Sequence, residues 1–364
     1  MAKRVSVDKW LFTVTVLLVF VGLVMVFSAS AVMGKENPHY HSAQYFLLRQ
    51  LLWACAGLGA MFALMNVDYR RYRAPAVVFA SLGVTVLLLL SVFFLDRSHN
   101  THRWFKLGPL SFQPSELAKL ALILFLAWIL EQKAKAIHDW HTLIAPAAAT
   151  VVLAGLIAAQ PDLGTAIACF AVACTMLFVA GLRLSYYLYP LACSPIVFYF
   201  LVWRVHWRRE RILAFADPFA DPQGRGFHII QSLIAVGTGG LTGVGLMEGK
   251  QKLFYLPEPH TDFIFAVTAE EWGFVGCLAI VLLFGVFCYR GIRTALLSRD
   301  PFARLLATGI TAMVIIQALF NISVVIGMLP TKGIPLPFIS YGGSSLFATL
   351  AAVGVLLNIT QQAD

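Results

Sequence analysis

The chain has 364 residues, of which 59% are hydrophobic and only 12% charged. A soluble domain carries about 25% charged residues, so most of this surface faces a solvent other than water, and an ordinary globular fold is excluded. The formal net charge of +9 reads in such a chain as a topology signal, not as a nucleic-acid surface. Cys55, Cys169, Cys174, Cys193, Cys277 and Cys288 all fall in apolar runs without a Cys-x-x-Cys pair, which reads as packed thiols.

A membrane helix needs about 20 mostly apolar residues, and ten runs meet or approach that length. They are Trp10 to Met33, Phe46 to Asn66, Ala74 to Leu95, Ser115 to Leu130, Thr142 to Ala159, Leu163 to Leu182, Ser185 to Trp203, Phe263 to Tyr289, Arg304 to Met328 and Phe338 to Ile359. The expected fold is therefore an all-α polytopic membrane protein with ten transmembrane helices. Ala29-Ser30-Ala31 resembles a signal cleavage site, but the uncharged run before it is longer than a usual signal segment, so the first helix is expected to remain. With the N-terminus inside, thirteen Lys and Arg fall on cytoplasmic segments and five on the short outer loops, Lys3, Arg4 and Arg97 among those counted. That asymmetry sets both termini in the cytoplasm. Residues 204–262 then form a 59-residue extracytoplasmic loop between helices seven and eight. Loops of that length are commonly functional. No repeat or appended soluble domain is visible, and residues 1–364 read as a single membrane domain.

Polar residues in apolar surroundings are the chemical candidates. Glu116 and Lys119 open the fourth span at i,i+3 spacing, which allows them to pair, either as part of a site or as a structural ion pair. The long loop carries Arg208-Arg209-Glu210-Arg211 and a glycine run from Gly237 to Gly245 that suggests close backbone approach and matches neither phosphate-loop pattern. Between them, Phe227 to Ala235 is apolar, carries Gln231 and Ser232, and is too short to span, so it can lie along the membrane surface. Asp262 stands beside the start of the eighth span. The helix dipole favours its ionised form, burial beside Phe263-Ile264-Phe265 favours the neutral one, and a carboxylate so balanced can act as a general base. An N-cap role is the plain alternative. Glu270 and Glu271, inside the same apolar run, are expected to pair with Lys119 or to line a polar cavity. In the last outer loop, Pro330, Pro335 and Pro337 stiffen the chain around its one charge, Lys332, and Ser340 to Ser345 offers small surfaces suited to helix packing.

Taken together, three stretches closely resemble the SEDS family of peptidoglycan glycosyltransferases, whose members include FtsW, RodA and SpoVE. These are Phe254-Tyr255-Leu256-Pro257-Glu258-Pro259-His260-Thr261-Asp262-Phe263-Ile264-Phe265-Ala266, Gln113-Pro114-Ser115-Glu116 and Gly333 to Ser345. Pro330-Thr331-Lys332-Gly333 resembles the FtsW branch; the elongation-type RodA branch stays open. The resemblance implies polymerisation of lipid II, an undecaprenyl-diphosphate-linked disaccharide-pentapeptide, on the outer face of the cytoplasmic (inner) membrane, in septal wall synthesis during cell division. Asp262 matches the essential aspartate of the family and becomes the expected catalytic base. Lys332, Arg209, Arg211 and Lys119 are the positive groups expected to be available to the diphosphate, and a divalent cation such as Mg or Mn is a further candidate. Glu116, Lys119 and Gln231 correspond to positions in or near the central cavity, and Ser340 and Ser344 are further expected substrate-binding positions. The implied partners are a class B penicillin-binding protein transpeptidase and other divisome proteins. Two other classes fit ten helices: a lipid II flippase, to which Glu270 and Glu271 would be useful, and a non-catalytic scaffold, for which Asp262 would be dispensable.

Overall fold

In a computed structural model the protein is described over residues 7–36, 42–95, 103–107 and 110–362. Lys3, Arg4 and Arg97, which enter the charge asymmetry, lie outside these segments. The first six expected spans are met by α1 (Lys9–Glu36), α2 (Tyr45–Met65), α3 (Pro75–Leu95), α4 (Pro114–Gln132), α5 (Trp140–Ala159) and α6 (Leu163–Val179). The seventh is α7 (Leu188–Phe198), prolonged by turns to Leu184–Trp203. The long connection is not an open loop, because it folds α8 (His206–Ala216) and α9 (Phe227–Gly239). The chain then forms α10 (Ile264–Leu297), α11 (Pro301–Val325) and α12 (Gly343–Thr360). A short hairpin, β1 (Phe105–Leu107) and β2 (Leu110–Phe112), pairs Phe105 with Phe112 and lies against α12.

Eight helices among the described residues are long and apolar enough to cross a membrane. The fourth and sixth expected spans fall short of that standard: α4 carries Glu116, Lys119 and Glu131, and α6 has 17 residues. Their surroundings explain the difference. α4 and α6 pack on each other and on α11, and most of α4 is buried, so their side chains meet protein where those of outer helices meet lipid. Within their most apolar windows, α11 and α12 are 67% buried, whereas Leu184–Trp203 is only 6% buried. The centre of the bundle is thus α1, α4, α6, α11 and α12, and α7 stands at its margin against its own flanking turns.

The glycine run is explained by a break in α10. Gly273 takes φ 65°, ψ −163°, and the helical hydrogen bonds lost there are replaced by the segment after α9. Val244 and Gly245 donate to the carbonyls of Glu270 (3.0 Å) and Glu271 (3.1 Å), while Phe274 and Val275 donate to Gly240 (2.9 Å) and Leu241 (3.1 Å). Non-helical backbone beside a bilayer must be satisfied by protein in this way. Only residues without a β-carbon permit the approach, since a Cβ at Gly239 would stand 1.8 Å from the Ala269 carbonyl oxygen.

The same break corrects the expectation for the paired glutamates. Glu271 accepts from the Ser28 hydroxyl (2.7 Å) and the Lys252 ammonium (2.6 Å), and Glu270 accepts from the backbone of Lys250 (2.8 Å) and Gln251 (3.1 Å). Neither pairs with Lys119, which is matched to Glu116. They clasp the loop to α10 and α1 because the buried carboxylates need charge and hydrogen-bond partners.

Gly239→Ala is expected to cost about 1–3 kcal/mol through overpacking, seen as a lower apparent melting temperature in detergent. Gly237→Ala, in the same helix with nothing within 4 Å of its added carbon, is expected to leave melting unchanged or slightly higher. Equal losses in both variants would refute the close-approach account.

Candidate active site

Two irregular segments meet at one end of the bundle, the turn before α10 and the loop before α12. The second folds inward: Ile334, Leu336, Phe338 and Ile339 are each no more than 2% exposed. One side chain of α11 joins the segments, as the Asn321 amide donates to the carbonyls of Asp262 and Ile334, both at 2.8 Å. Further along, the Ser340 hydroxyl donates to the Thr261 carbonyl (2.6 Å) and accepts from the Leu336 N–H (2.8 Å). The Tyr341 N–H donates to the His260 carbonyl (2.9 Å), and the rings of His260, Phe46 and Tyr341 pack against one another.

This stitching fixes Asp262 on the wall of a cavity of about 320 Å³, shared with Arg211, His228, Glu258 and Lys332. The carboxylate lies so close to Gly333 that a Cβ there would come to 2.7 Å. Asp262 is not a helix cap: α10 begins at Ile264, with Phe263 as its N-cap residue and no side-chain cap. Its carboxylate makes no hydrogen bond or ion pair among the described residues. Burial, then the nearby charges of Glu258 and Asp162, push its pKa up to about 7 against the opposing pull of Arg211 and Arg103. The group is poised to exchange a proton near neutrality.

The other expected residues separate by position. On α8, Arg211 reaches the cavity but Arg209 does not, and its guanidinium lies 3.3 Å from His206 Nδ1. Successive helical residues are turned by about 100°, so the residue sharing the side of Arg211 is Arg208, three positions before it. Arg208 holds the carbonyls of Leu201 (2.7 Å) and Ala158 (3.1 Å). Lys332 and Arg211 form no ion pair among the described residues, and burial lowers both below their ordinary pKa values. Arg225, also on the cavity wall, is already held by Glu210 and Asp221. Glu116 and Lys119 pair at 2.9 Å, each 3% exposed, away from the cavity wall. Ser344 accepts from the Gln113 N–H (3.3 Å), and half-buried Gln231 lies on α9 off the cavity wall.

Asp162, Glu258, Arg103 and His228 were not candidates from sequence. Asp162 caps α6, accepting from Thr165 N–H (3.1 Å), and also accepts from the Gln113 amide (3.2 Å), which ties the Gln113-Pro114-Ser115-Glu116 turn to the site. Arg103 donates to the carbonyls of Gln160 (2.9 Å) and Pro161. The Gln160-Pro161-Asp162 interruption between spans was the available signal for both. Among the described residues no three His, Cys, Asp or Glu side chains converge as metal ligands. The donor set does not fit an all-protein cage for a divalent cation.

A family model described as a cell cycle protein, covering FtsW, RodA and SpoVE, matches residues 8–364. The chain belongs to the FtsW/RodA/SpoVE family. Among its relatives, a probable peptidoglycan glycosyltransferase FtsW of Geobacter metallireducens is 46% identical over 357 residues, covering 97% of this chain and 94% of the relative. Stage V sporulation protein E of Bacillus subtilis is 45% identical over 361 residues, covering 99% and 98%. Among solved structures, a chain of a peptidoglycan synthase complex, described for its coordination of polymerization and crosslinking, matches with TM-score 0.81 and 34% identity over 98% of each chain. The rod shape determining protein RodA of Thermus thermophilus matches with TM-score 0.72 and 31% identity over 99% and 98%. These FtsW/RodA/SpoVE relationships span the helices and the Asp262 cavity alike.

The raised pKa of Asp262 has a sign that can be tested on the folded protein. Below pH 3.8, the ordinary aspartate value, folded and unfolded chains both hold the proton. As pH rises toward 7 the unfolded chain loses it first, so stability falls through that window. Asp262→Asn removes this penalty and is expected to stabilise the protein by about 1–2 kcal/mol at pH 8, after discounting for water in the cavity, and not at pH 4. Melting curves at both pH values check it.

Proposed function

We propose that the chain is a peptidoglycan glycosyltransferase that polymerises lipid II into glycan strands on the outer face of the cytoplasmic membrane, in septal wall synthesis. The observation that carries this reading is the unpaired Asp262 carboxylate facing a cavity that also presents Arg211 and Lys332 without ion-pair partners. The names of the relatives support the reaction class. Sidedness is supported by charge: Arg70, Arg73, Arg290 and Arg299 gather at the end of the bundle opposite Asp262, as expected if that end and both termini face the cytoplasm.

In this mechanism the 4-hydroxyl of the acceptor sugar gives its proton to Asp262 as its oxygen bonds to the donor's anomeric carbon. The bond from that carbon to the diphosphate oxygen breaks, and the electron pair leaves with the diphosphate. Arg211 and Lys332 stabilise the developing charge, with Arg208 and Arg103 adding to the positive field. Attack opposite the leaving group inverts the anomeric centre, so one carboxylate suffices, unlike the paired carboxylates of glycoside hydrolases. Glu116 and Lys119 act from a distance, cancelling each other's charge inside the bundle. A class B penicillin-binding protein, as the crosslinking partner, and other division proteins complete the assembly.

The deciding experiment measures glycan-strand formation from lipid II in proteoliposomes with the cognate penicillin-binding protein. Asp262→Asn is expected to lose at least about 100-fold in rate, the scale of general-base catalysis. Polymer at the native rate from that variant would move the base elsewhere. Transbilayer movement of labelled lipid II without polymer from the native chain would instead make it a flippase.

The pH profile offers a separate check. A base must be ionised, so the rate should rise with pH through about 7, the value for Asp262. Asp162→Asn removes a neighbouring negative charge and should lower that midpoint, whereas Arg211→Gln should raise it.

A further inference from the structure

One side chain on the cavity wall has no part in that proton transfer. His228, the second residue of α9, is exposed into the cavity beside Asp262, and its ring meets that of Phe263 at 6.1 Å. Neither ring nitrogen has a hydrogen-bond partner among the described residues. The backbone beneath it is firmly placed. Ile229, the next residue, is 3% exposed, and the turn before α9 is fixed by Asp221, which accepts from Gly224 and Arg225 N–H groups, both at 3.1 Å. A Cβ at Gly226 would stand 1.9 Å from the Pro218 carbonyl oxygen. The imidazole therefore projects from a rigid element with both of its polar atoms unused.

The charged groups around it have fixed roles. Arg211 from α8 and Lys332 from the last loop can only donate hydrogen bonds, and ionised Asp262 and Glu258 can only accept them. Arg225 and Glu210 are paired to each other. Partial desolvation, then Arg211, hold His228 below the ordinary histidine pKa, so the ring is neutral at pH 7 and offers one donor and one acceptor. A diphosphate oxygen accepts only and matches the cations. A sugar hydroxyl or acetamido group donates and accepts, and matches the imidazole.

We propose that His228 is a substrate-contacting residue that binds a neutral hydroxyl or acetamido group of the saccharide beside Asp262, and so helps to set which sugar the cavity takes. The inference rests on the lipid II polymerase reading. It separates the cavity into a cationic part for the diphosphate and a neutral amphoteric part for the sugar.

The test is steady-state polymerisation of lipid II by the full chain with its penicillin-binding partner in proteoliposomes, with melting temperature measured for each variant. Losing a neutral hydrogen bond costs about 0.5–1.5 kcal/mol, so His228→Ala should raise KM for lipid II about threefold to tenfold with little change in kcat. His228→Gln, which also donates and accepts, should recover most of the loss, and His228→Lys should not. The pH midpoint set by Asp262 should be unmoved in His228→Gln. The proposal is overturned by an unchanged KM in His228→Ala, by recovery with Lys in place of Gln, which would indicate phosphate contact, or by a displaced pH midpoint in the Gln variant. Absence of polymer from the native chain would instead overturn the underlying polymerase reading.

Discussion

The site depends on the two carbonyls that Asn321 holds. The turn before α10 and the loop before α12 are not paired as strands, so no ladder fixes their register, and their buried backbone must find partners one by one. The Asn321 amide takes the Asp262 and Ile334 carbonyls at the same 2.8 Å distance. Ser340 and Tyr341 continue the seam, and Gln50 closes it by donating to the Ser340 carbonyl (3.1 Å) and accepting from the Gly342 N–H (3.3 Å). In this register Gly333 lies opposite the Asp262 carboxylate, where a Cβ would come to 2.7 Å, and its missing side chain leaves room for the group.

Charge is distributed with the same economy. Several basic residues are engaged with carboxylates of the framework: Lys119 with Glu116, Lys252 with Glu271, and Arg225 with Glu210 and Asp221. Those pairings satisfy the buried charges of the framework, where an unmatched one would be costly. What they leave at the cavity is a carboxylate near its titration point and two cations without ion-pair partners among the described residues, Arg211 stacking only on the Trp207 ring. The opposing influences on Asp262 come from four different elements, so its proton affinity reports how the bundle is assembled.

Much of the helical framework could be read from the sequence because hydropathy over about twenty residues is a property of each segment by itself. Asp262 was legible for a similar reason, as a carboxylate at the edge of an apolar run. What sequence could not supply was rotation and pairing. Arg208, Arg209 and Arg211 are equivalent as a charge cluster, and only the docking of α8 decides which of them faces the cavity. Glu270 and Glu271 looked like free intramembrane charges because Ser28 and Lys252 are distant in the chain. The long connection gave α9 away as an apolar stretch with a glycine run, but α8, with its many charges, has no apolar face to betray it. Asp162 reads in the sequence as part of a span boundary, although an Asp at a helix start is a capping signal, and here the capping residue is also part of the electrostatic setting of the site.

The marginal position of α7 has a mechanical meaning. A helix so little covered by protein is located by the lipid around it, and the cost of tilting or shifting it is set by bilayer thickness more than by packing. Only Arg204 and Val205 separate its final turn from α8, and Arg208 grips the Leu201 carbonyl on that turn while also holding Ala158 at the end of α5. Arg208 is thus a coupling between a lipid-suspended rod and the fixed bundle, and strain in the rod is delivered first to the helix that carries Arg211.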